Sequence, residues 1–323
     1  MEFNSLQNRA GSRLTCALYF IVSIYRDVSP MRDVGILNTL KVWLLDQFGV
    51  LHDGKRPYPG AIFATEKLAK TGAKMVVISN SSRRASITME KLEALGFNPS
   101  LFVGAISSGE LTHQCLLRRC DPWFSALGSS CIHITWSDRG SISLEGLGLR
   151  IVENSEEAEF VLVHGTEGIG KSCGTVSAMT LKEIGMLLKE CAAKGLPMVV
   201  ANPDLVTVEE RNLRVMPGTL ASEYEKFGGK VKWMGKPYKL IYEVAMELVN
   251  DHGSNCIGVG DSLHHDIKGA NEVGIMSLFI TGGIHSSELG ISKVGEEADF
   301  SLVQQLVAKN NVYPSFVAPA FIW

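Results

Sequence analysis

Four polar residues that follow short apolar runs could together carry out phosphate chemistry. The runs and the residues after them are 42–45 with Asp46, 75–78 with Ser79, 231–234 with Lys236, and 256–259 with Asp261. Two carboxylates can hold Mg²⁺, which prefers hard oxygen ligands. A hydroxyl, an ammonium group and backbone amides can hold a phosphate. Asp46 could then attack the phosphorus as a nucleophile and form an aspartyl-phosphate.

The four apolar runs are predicted β-strands, and helical patterns lie between them. Helices are expected from about residue 60 to 68, up to about residue 95, and over 237–249. Such alternation indicates a Rossmann-like, doubly wound parallel α/β sheet. Ligands bind beyond the carboxyl ends of the strands in these sheets. We therefore expect the four polar residues to meet at one edge of the sheet.

A second module interrupts this pattern. Strands are predicted near residues 132–136, 160–163 and 198–201, with a helix over about 181–191. We expect a core domain formed by residues 39–104 and 216–323, with an inserted α/β cap domain over 105–215.

Composition excludes several classes of protein. The length of 323 residues corresponds to about two domains. A net charge of −3 argues against a nucleic-acid partner, because such binding needs an excess of Lys and Arg. With 46% apolar residues the chain is not disordered. The longest apolar run, residues 14–25, is too short to span a membrane, which needs about 20 residues.

Residues 1–38 fit neither predicted domain, and we expect them to form a poorly ordered leader. Arginines before the apolar stretch leave organelle targeting open, although no small-residue cleavage site follows. Seven cysteines without a C-x-x-C pair are typical of reduced thiols. The predicted location is therefore the cytoplasm.

The segments around the four polar residues resemble the haloacid dehalogenase-like (HAD) hydrolase superfamily. They are residues 44–51, 77–83, 235–237 and 260–267. The inserted module resembles the large cap of the nitrophenylphosphatase-like subfamily (class IIA), and so do Asn202-Pro203-Asp204 and Pro217-Gly218-Thr219. The resemblance covers about residues 40–285. Residues 46–54, D-Q-F-G-V-L-H-D-G, resemble one branch of that subfamily.

This resemblance implies a Mg²⁺-dependent hydrolase that acts on a small phosphorylated substrate, and cap-to-cap homodimers are common among relatives. It implies roles for the following residues: Asp46 as nucleophile and metal ligand, Ser79 and Asn80 as phosphate-binding residues, Lys236 as the charge-neutralising lysine, Asp261 as the second metal carboxylate, and Asp266 as its support. It also implies substrate contacts by Asn202 and Asp204. The backbone carbonyl of Phe48 could complete the metal site.

Phe48 departs from the family pattern, which has an aspartate two residues after the nucleophile. That aspartate protonates the leaving group, and such help is worth 10²–10⁴-fold in rate. One interpretation is a weak or inactive phosphatase that binds a phosphorylated metabolite or has a regulatory role. The other is a substrate whose leaving group needs no proton, such as an acyl phosphate or phosphoanhydride. Asp53, His264 or His265 could also substitute as the acid.

A competing motif lies at residues 165–172, which match the nucleotide-binding pattern G-x-x-x-x-G-K-[ST]. A genuine loop of this kind should lead directly into a helix whose amides face the phosphates. Residues 173–176, C-G-T-V, make a poor first helical turn. We therefore expect an ordinary glycine-rich loop of the cap, with a nucleotide-hydrolysing enzyme as the alternative.

Overall fold

The structure is a computed structural model that describes residues 23–24, 40–119, 121–137, 142, 144–209, 212–251 and 253–323. Apart from Ser23–Ile24, the predicted leader lies outside the described residues, so its expected disorder and targeting role stay predictions. Among the described helices, none is long and apolar enough to cross a membrane.

The described residues form strands and helices in alternation. The strands are β1 (Ser23–Ile24), β2 (Val42–Leu45), β3 (Lys74–Ser79), β4 (Phe102–Ser107), β5 (Ser130–Thr135), β6 (Arg150–Ile151), β7 (Phe160–Val163), β8 (Gly168–Gly170), β9 (Val176–Ala178), β10 (Met198–Val200), β11 (Val206–Glu209), β12 (Asn212–Val215), β13 (Val231–Trp233), β14 (Cys256–Gly260), β15 (Met276–Ile280) and β16 (Phe316–Ala318). The helices are α1 (Ala61–Lys70), α2 (Ala85–Ala94), α3 (Ser108–Arg118), α4 (Pro122–Ser125), α5 (Leu181–Ala193), α6 (Pro217–Lys226), α7 (Lys239–Val249), α8 (Lys268–Val273) and α9 (Phe300–Asn310).

The first sheet has the strand order β1-β16-β15-β14-β2-β3-β4. Its strands are parallel except for β1, which pairs antiparallel to β16. Successive residues of a strand point to opposite faces, and both faces of this sheet are covered. Trp43 and Leu45 pack with Leu68 of α1 on one side. Leu44 packs with Tyr242 of α7 on the other, which confirms the predicted doubly wound α/β fold.

The second sheet has the order β13-β10-β7-β5-β8-β9, with β6 against β5. Strands β13, β10, β7 and β5 are parallel, whereas β8 pairs antiparallel to β5 and β9. Helices α5 and α6 cover one face through Leu188 and Tyr224. On the other face, Phe160 lies in the same apolar cluster as Leu44 of the first sheet. The two sheets therefore share a continuous core.

Strand pairing corrects two details of the predicted organisation. Residues 231–233 were predicted as a strand of the first sheet, but β13 pairs with β10 of the second. The second sheet thus extends beyond the boundary predicted at residue 215. Likewise β4 pairs with β3 as far as Ser107, beyond the boundary predicted at residue 104. A short apolar run shows that a strand forms, but its partner is set by distant contacts.

The nucleotide-loop alternative for residues 165–172 is wrong. Residues Gly168–Gly170 form β8, which is joined to β9 by a tight turn. The Lys171 amide donates to the carbonyl of Thr175 at 2.8 Å, so Lys171 lies in a hairpin and opens no helix. Its Nζ lies 3.6 Å from a carboxylate oxygen of Glu153.

Candidate active site

A buried charge cluster lies at the carboxyl edge of the first sheet. Asp46 follows β2, and its amide donates to the carbonyl of Val259 in β14 at 2.9 Å. Lys236 Nζ lies 2.8 Å from Asp46 Oδ1 and 2.7 Å from Asp266 Oδ1. All three side chains are buried. One ammonium group therefore bridges two carboxylates that come from distant parts of the sequence.

The environment of this cluster shifts its ionisation. Burial alone would lower the pKa of Lys236, but the charges of Asp266 and Asp46 outweigh burial and raise it. Lys236 is therefore a permanent positive charge at neutral pH. Burial raises the pKa of Asp46 to about 7, although Lys236 acts in the opposite direction.

A third carboxylate completes the cluster and gives it the donor set of a metal site. Oxygen atoms of Asp46, Asp261 and Asp266 all lie within 4.8 Å of one another. Burial, followed by the charges of Asp46 and Asp266, raises the pKa of Asp261 well above its usual range. Three carboxylates against one ammonium group leave excess negative charge, which a divalent cation would neutralise. These residues therefore fit a hard cation such as Mg²⁺.

The backbone around Asp261 holds its carboxylate closely. Oδ2 accepts a hydrogen bond from the amide of Ile284 at 2.7 Å. A Cβ atom at Gly49 would lie 1.9 Å from this oxygen, and one at Gly283 would lie 2.2 Å from it. Only glycine fits at either position, so two loops of the first sheet close around the Asp261 carboxylate.

Asp266 is fixed from two sides. The residues Leu263–Ile267 form a short π-helical turn after β14. Asp266 Oδ2 accepts from the Ser262 amide at 3.1 Å, which leaves Oδ1 for Lys236. The Tyr242 hydroxyl of α7 donates to the Asp266 carbonyl at 3.0 Å. Asp266 therefore lies in the cluster itself, where it positions Lys236.

Asn80 connects the cluster to the segment that returns from the second sheet. Its Oδ1 accepts from the Lys236 amide at 2.7 Å, and its Nδ2 donates to the Lys236 carbonyl at 3.2 Å. Nδ2 also donates to Asp204 Oδ1 at 2.8 Å. The Asn80 amide is thus occupied by protein partners and clamps the Lys236 loop. Asn202 Oδ1 accepts from the Asp204 amide at 2.9 Å, so it shapes this turn.

Ser79 makes a contact that the sequence reasoning missed. Gln47 Nε2 donates to Ser79 Oγ at 2.6 Å, and both side chains are buried. The Ser81 amide donates to the same oxygen at 3.2 Å. The signal that could have found the contact is strand register, because Leu45 pairs with Val77 and two further residues bring Gln47 opposite Ser79.

The segment after Asp46 holds Phe48 with 54% of its surface exposed. Its ring packs edge to face on His52, with centroids 4.7 Å apart. Burial lowers the pKa of His52 to about 4, and its Nδ1 accepts from the Gly54 amide at 3.0 Å. Asp53 accepts from the amides of Arg56 and Lys55, and these bonds lower its pKa. Asp53 is therefore an ionised turn cap, unsuited to donate a proton.

The two histidines proposed as substitute acids differ in their contacts. His265 Nδ1 lies 3.3 Å from Ser262 Oγ and 3.6 Å from Asp204 Oδ1, beside the Asn80 clamp. His264 is exposed, and its ring lies edge to face on His265 at 6.3 Å. Of the two, His265 is the one tied to groups that surround the charge cluster.

Comparisons with known proteins agree with this fold. A haloacid dehalogenase-like hydrolase model matches residues 43–173, and a second HAD-like hydrolase model matches residues 233–307. The 4-nitrophenylphosphatase of Schizosaccharomyces pombe is 26% identical over 270 residues, which cover 80% of this chain and 90% of that protein.

Solved structures share the architecture. A haloacid dehalogenase-like hydrolase from Brucella suis superposes with a TM-score of 0.65 at 25% identity, covering 82% of this chain and 93% of the other. Glycerol phosphate phosphatase from Mycobacterium tuberculosis, in complex with calcium, has the same fold, with a TM-score of 0.57 at 20% identity, covering 87% of this chain and 77% of that one.

The two family models together contain every residue of the charge cluster. The first includes Asp46, and the second includes Lys236, Asp261 and Asp266. The relatives are named as hydrolases and phosphatases. The chain belongs to the haloacid dehalogenase-like hydrolase superfamily, in its nitrophenylphosphatase-like class IIA subfamily.

Proposed function

We propose that this hydrolase is a phosphatase that acts on a small phosphorylated metabolite through an aspartyl-phosphate on Asp46. The observation that carries the proposal is the Asp46 carboxylate beside Lys236 Nζ, 2.8 Å away, at the ligand-binding edge of a parallel sheet. A buried cation next to a nucleophile suits a substrate that brings several negative charges. The names of the relatives support the same chemistry.

The proposed reaction has two steps. A carboxylate oxygen of Asp46 attacks the phosphorus, a bond to Asp46 forms, and the bond to the leaving oxygen breaks. Lys236 and the Ser79 hydroxyl bind the phosphoryl oxygens while negative charge shifts among them. Water then attacks the same phosphorus, which releases inorganic phosphate and restores the Asp46 carboxylate.

We propose Mg²⁺ as the metal, held by Asp46, Asp261 and the backbone carbonyl of Phe48, with Asp266 in support. When bound, it would neutralise phosphoryl charge that Lys236 alone does not balance. The geometric support is the group of three carboxylates within 4.8 Å. The calcium complex of the mycobacterial relative is consistent with a divalent ion at such a site.

Phe48 points to the kind of leaving group. A phenyl ring cannot give a proton, and the neighbouring Asp53 carboxylate is occupied by two backbone amides. Alkoxides are poor leaving groups without a proton, whereas carboxylates and phosphates depart as stable anions. We therefore favour acyl phosphates or phosphoanhydrides over simple alkyl phosphates.

The test is a phosphatase screen that includes acetyl phosphate, 4-nitrophenyl phosphate, glycerol phosphate and nucleotides. Each substrate is assayed with Mg²⁺ and with EDTA. Asp46→Asn should abolish turnover, whereas the matched variant Asp251→Asn, in the turn after α7, should retain it. If no substrate shows turnover that depends on both Mg²⁺ and Asp46, the enzyme proposal is wrong.

A second candidate is a non-catalytic protein that binds phosphorylated metabolites on the same fold. Phe48 favours it, because the position two residues after the nucleophile carries no acid. Such a protein would bind inorganic phosphate or phosphorylated metabolites at the Asp46 cluster without turnover in the screen.

Further parts of the proposal concern organisation and location. The chain would carry its second sheet as a cap over the cluster, as the clamp between Asn80 and Asp204 suggests. Free thiols at the described cysteines 131, 173, 191 and 256 are consistent with a cytoplasmic location. A homodimer stays a prediction from the family resemblance.

A further inference from the structure

Gln47 is a buried polar residue, 4% exposed, that the reaction described above does not use. Its Nε2 lies 2.6 Å from the hydroxyl oxygen of Ser79. We propose that Gln47 is a positioning residue that orients the Ser79 hydroxyl so that its hydrogen is available to the substrate phosphate. This inference rests on the proposed phosphatase function and deepens it.

The contact follows from the geometry of two adjacent strands. Val42 pairs with Lys74, and the register continues to Leu45 and Val77. Two residues further on, Gln47 lies opposite Ser79. The Gln47 carbonyl accepts from the amides of Leu51 and His52 at 2.9 and 3.0 Å. These bonds fix the turn after Asp46, and the Gln47 side chain is held against β3.

The direction of the Ser79 hydrogen follows from the hydrogen-bonding capacity of a serine hydroxyl. Such a group has one hydrogen to donate and two lone pairs that accept. Ser79 Oγ accepts from Gln47 Nε2 and, at 3.2 Å, from the Ser81 amide. Both lone pairs are then used, and the hydrogen must find a third partner. A phosphoryl oxygen, which only accepts, is the partner that the proposed reaction supplies.

Removing the Gln47 amide frees one lone pair and lets the hydroxyl rotate. Gln47→Met keeps the length of the side chain but cannot donate. Gln47→Glu should weaken phosphate binding more, because an ionised carboxylate only accepts hydrogen bonds and would accept the Ser79 hydrogen. We therefore expect wild type to bind phosphate best, Gln47→Met less well, and Gln47→Glu least.

The experiment measures binding of inorganic phosphate by calorimetry to the full chain with Mg²⁺. Gln47→Met should weaken binding roughly 3- to 10-fold, the effect of one hydrogen bond. In the Ser79→Ala background the same substitution should change affinity less than about 2-fold, because Gln47 acts through Ser79. The matched control is Gln114→Met, whose amide donates to Glu110 at 2.8 Å on α3, and it should bind as wild type does.

Other results would overturn the inference. Equal phosphate affinities of wild type and Gln47→Met would contradict it. It would also be contradicted if Gln47→Met weakened phosphate binding by the same factor in the wild type and in the Ser79→Ala background. In either case turnover by the wild type leaves the phosphatase function standing. A wild type that neither binds phosphate nor turns over any substrate overturns both. If Gln47→Met does not fold, Gln47→Asn, too short to reach Ser79, replaces it with the same expected weakening.

Discussion

The two sheets both bury ionisable side chains near the carboxyl ends of their parallel strands, but they do so in opposite ways. At the first sheet, Lys236 bridges Asp46 and Asp266 as a charged group. At the second, His133 of β5 and His164 after β7 form a pair, with Nε2 and Nδ1 3.1 Å apart. Burial lowers the pKa of His133 to about 4 and that of His164 well below its usual range.

The difference indicates that the charge cluster of the first sheet is suited to bind ions, whereas the histidine pair of the second sheet contributes to packing. Buried charges are costly unless they are paired, so a cluster that keeps three carboxylates and an ammonium group is suited to bind ions. A neutral histidine pair carries no charge at neutral pH and needs only its mutual hydrogen bond. The first edge is therefore the one at which we propose that phosphate and metal bind.

Removing Lys236 from the charge cluster of the first sheet should have the largest effect, which is a loss of stability. Lys236→Met leaves Asp46 and Asp266 buried without their cation, and we expect a loss of about 3–5 kcal/mol in unfolding free energy. The matched variant is Lys232→Met, which removes a partly exposed pair with Asp121 at 3.4 Å and should cost under about 1 kcal/mol. Urea unfolding of the metal-free proteins measures both. Equal losses would show that the cluster is not a tightly paired site.

Adding an acid beside the charge cluster, at position 48, should have the next largest effect, which is a gain in turnover. Phe48→Asp supplies the missing proton donor, and we expect turnover of an alkyl phosphate to rise by about 10²-fold. Steady-state rates with glycerol phosphate measure the change. Phe63→Asp serves as control, because Phe63 is similarly exposed but lies on α1, and it should give no gain. An unchanged rate in Phe48→Asp would mean that another group already acts as the acid.

Protonation of the histidine pair in the second sheet should lower the stability of the protein at mildly acidic pH. His133 in the unfolded chain has an ordinary pKa near 6.5, so between pH 6.5 and 4 the unfolded state binds more protons than the native state. Stability from this group is therefore lost as pH falls through that range. From pH 7 to 5, wild type should lose roughly 2 kcal/mol more unfolding free energy than His133→Leu. Parallel pH curves for the two proteins would contradict the neutral pair.

The smallest effect is expected at the nucleotide-like motif of the second sheet. Lys171 lies in a hairpin and pairs with Glu153 in an exposed position. We expect Lys171→Ala to change stability by under about 1 kcal/mol. Phosphatase turnover should stay within about twofold of wild type. Loss of substrate or nucleotide binding in Lys171→Ala would indicate that the ligand binds at the second sheet.

Much of the first sheet could be predicted because its strands are short, apolar and buried on both faces. The runs at β2, β3, β14 and β15 are of this kind. The strand β16, with three residues, carries too little pattern to stand out. The pairing of β13 could not be predicted, because its neighbour β10 lies 33 residues earlier, with Met198 paired to Val231, and no local feature selects it.

The candidate site was predictable where strand ends decide position. Asp46 and Asp261 follow strands of one sheet and Ser79 ends another, so their meeting follows from topology. Lys236 reaches the cluster from a loop after a strand of the other sheet, which the sequence reasoning did not foresee. The contact between Gln47 and Ser79 was missed although strand register could have found it. The contact between Asn80 and Asp204 was missed because the two side chains lie far apart in sequence and no register connects them.

The most direct test of the charged edge as a phosphatase site is to trap the intermediate. The wild type is mixed with acetyl phosphate and Mg²⁺, quenched in acid, digested and analysed by tandem mass spectrometry. We expect one phosphoryl group on Asp46 and none in Asp46→Asn. A phosphoryl group on another residue, or turnover that persists in Asp46→Asn, would contradict the account.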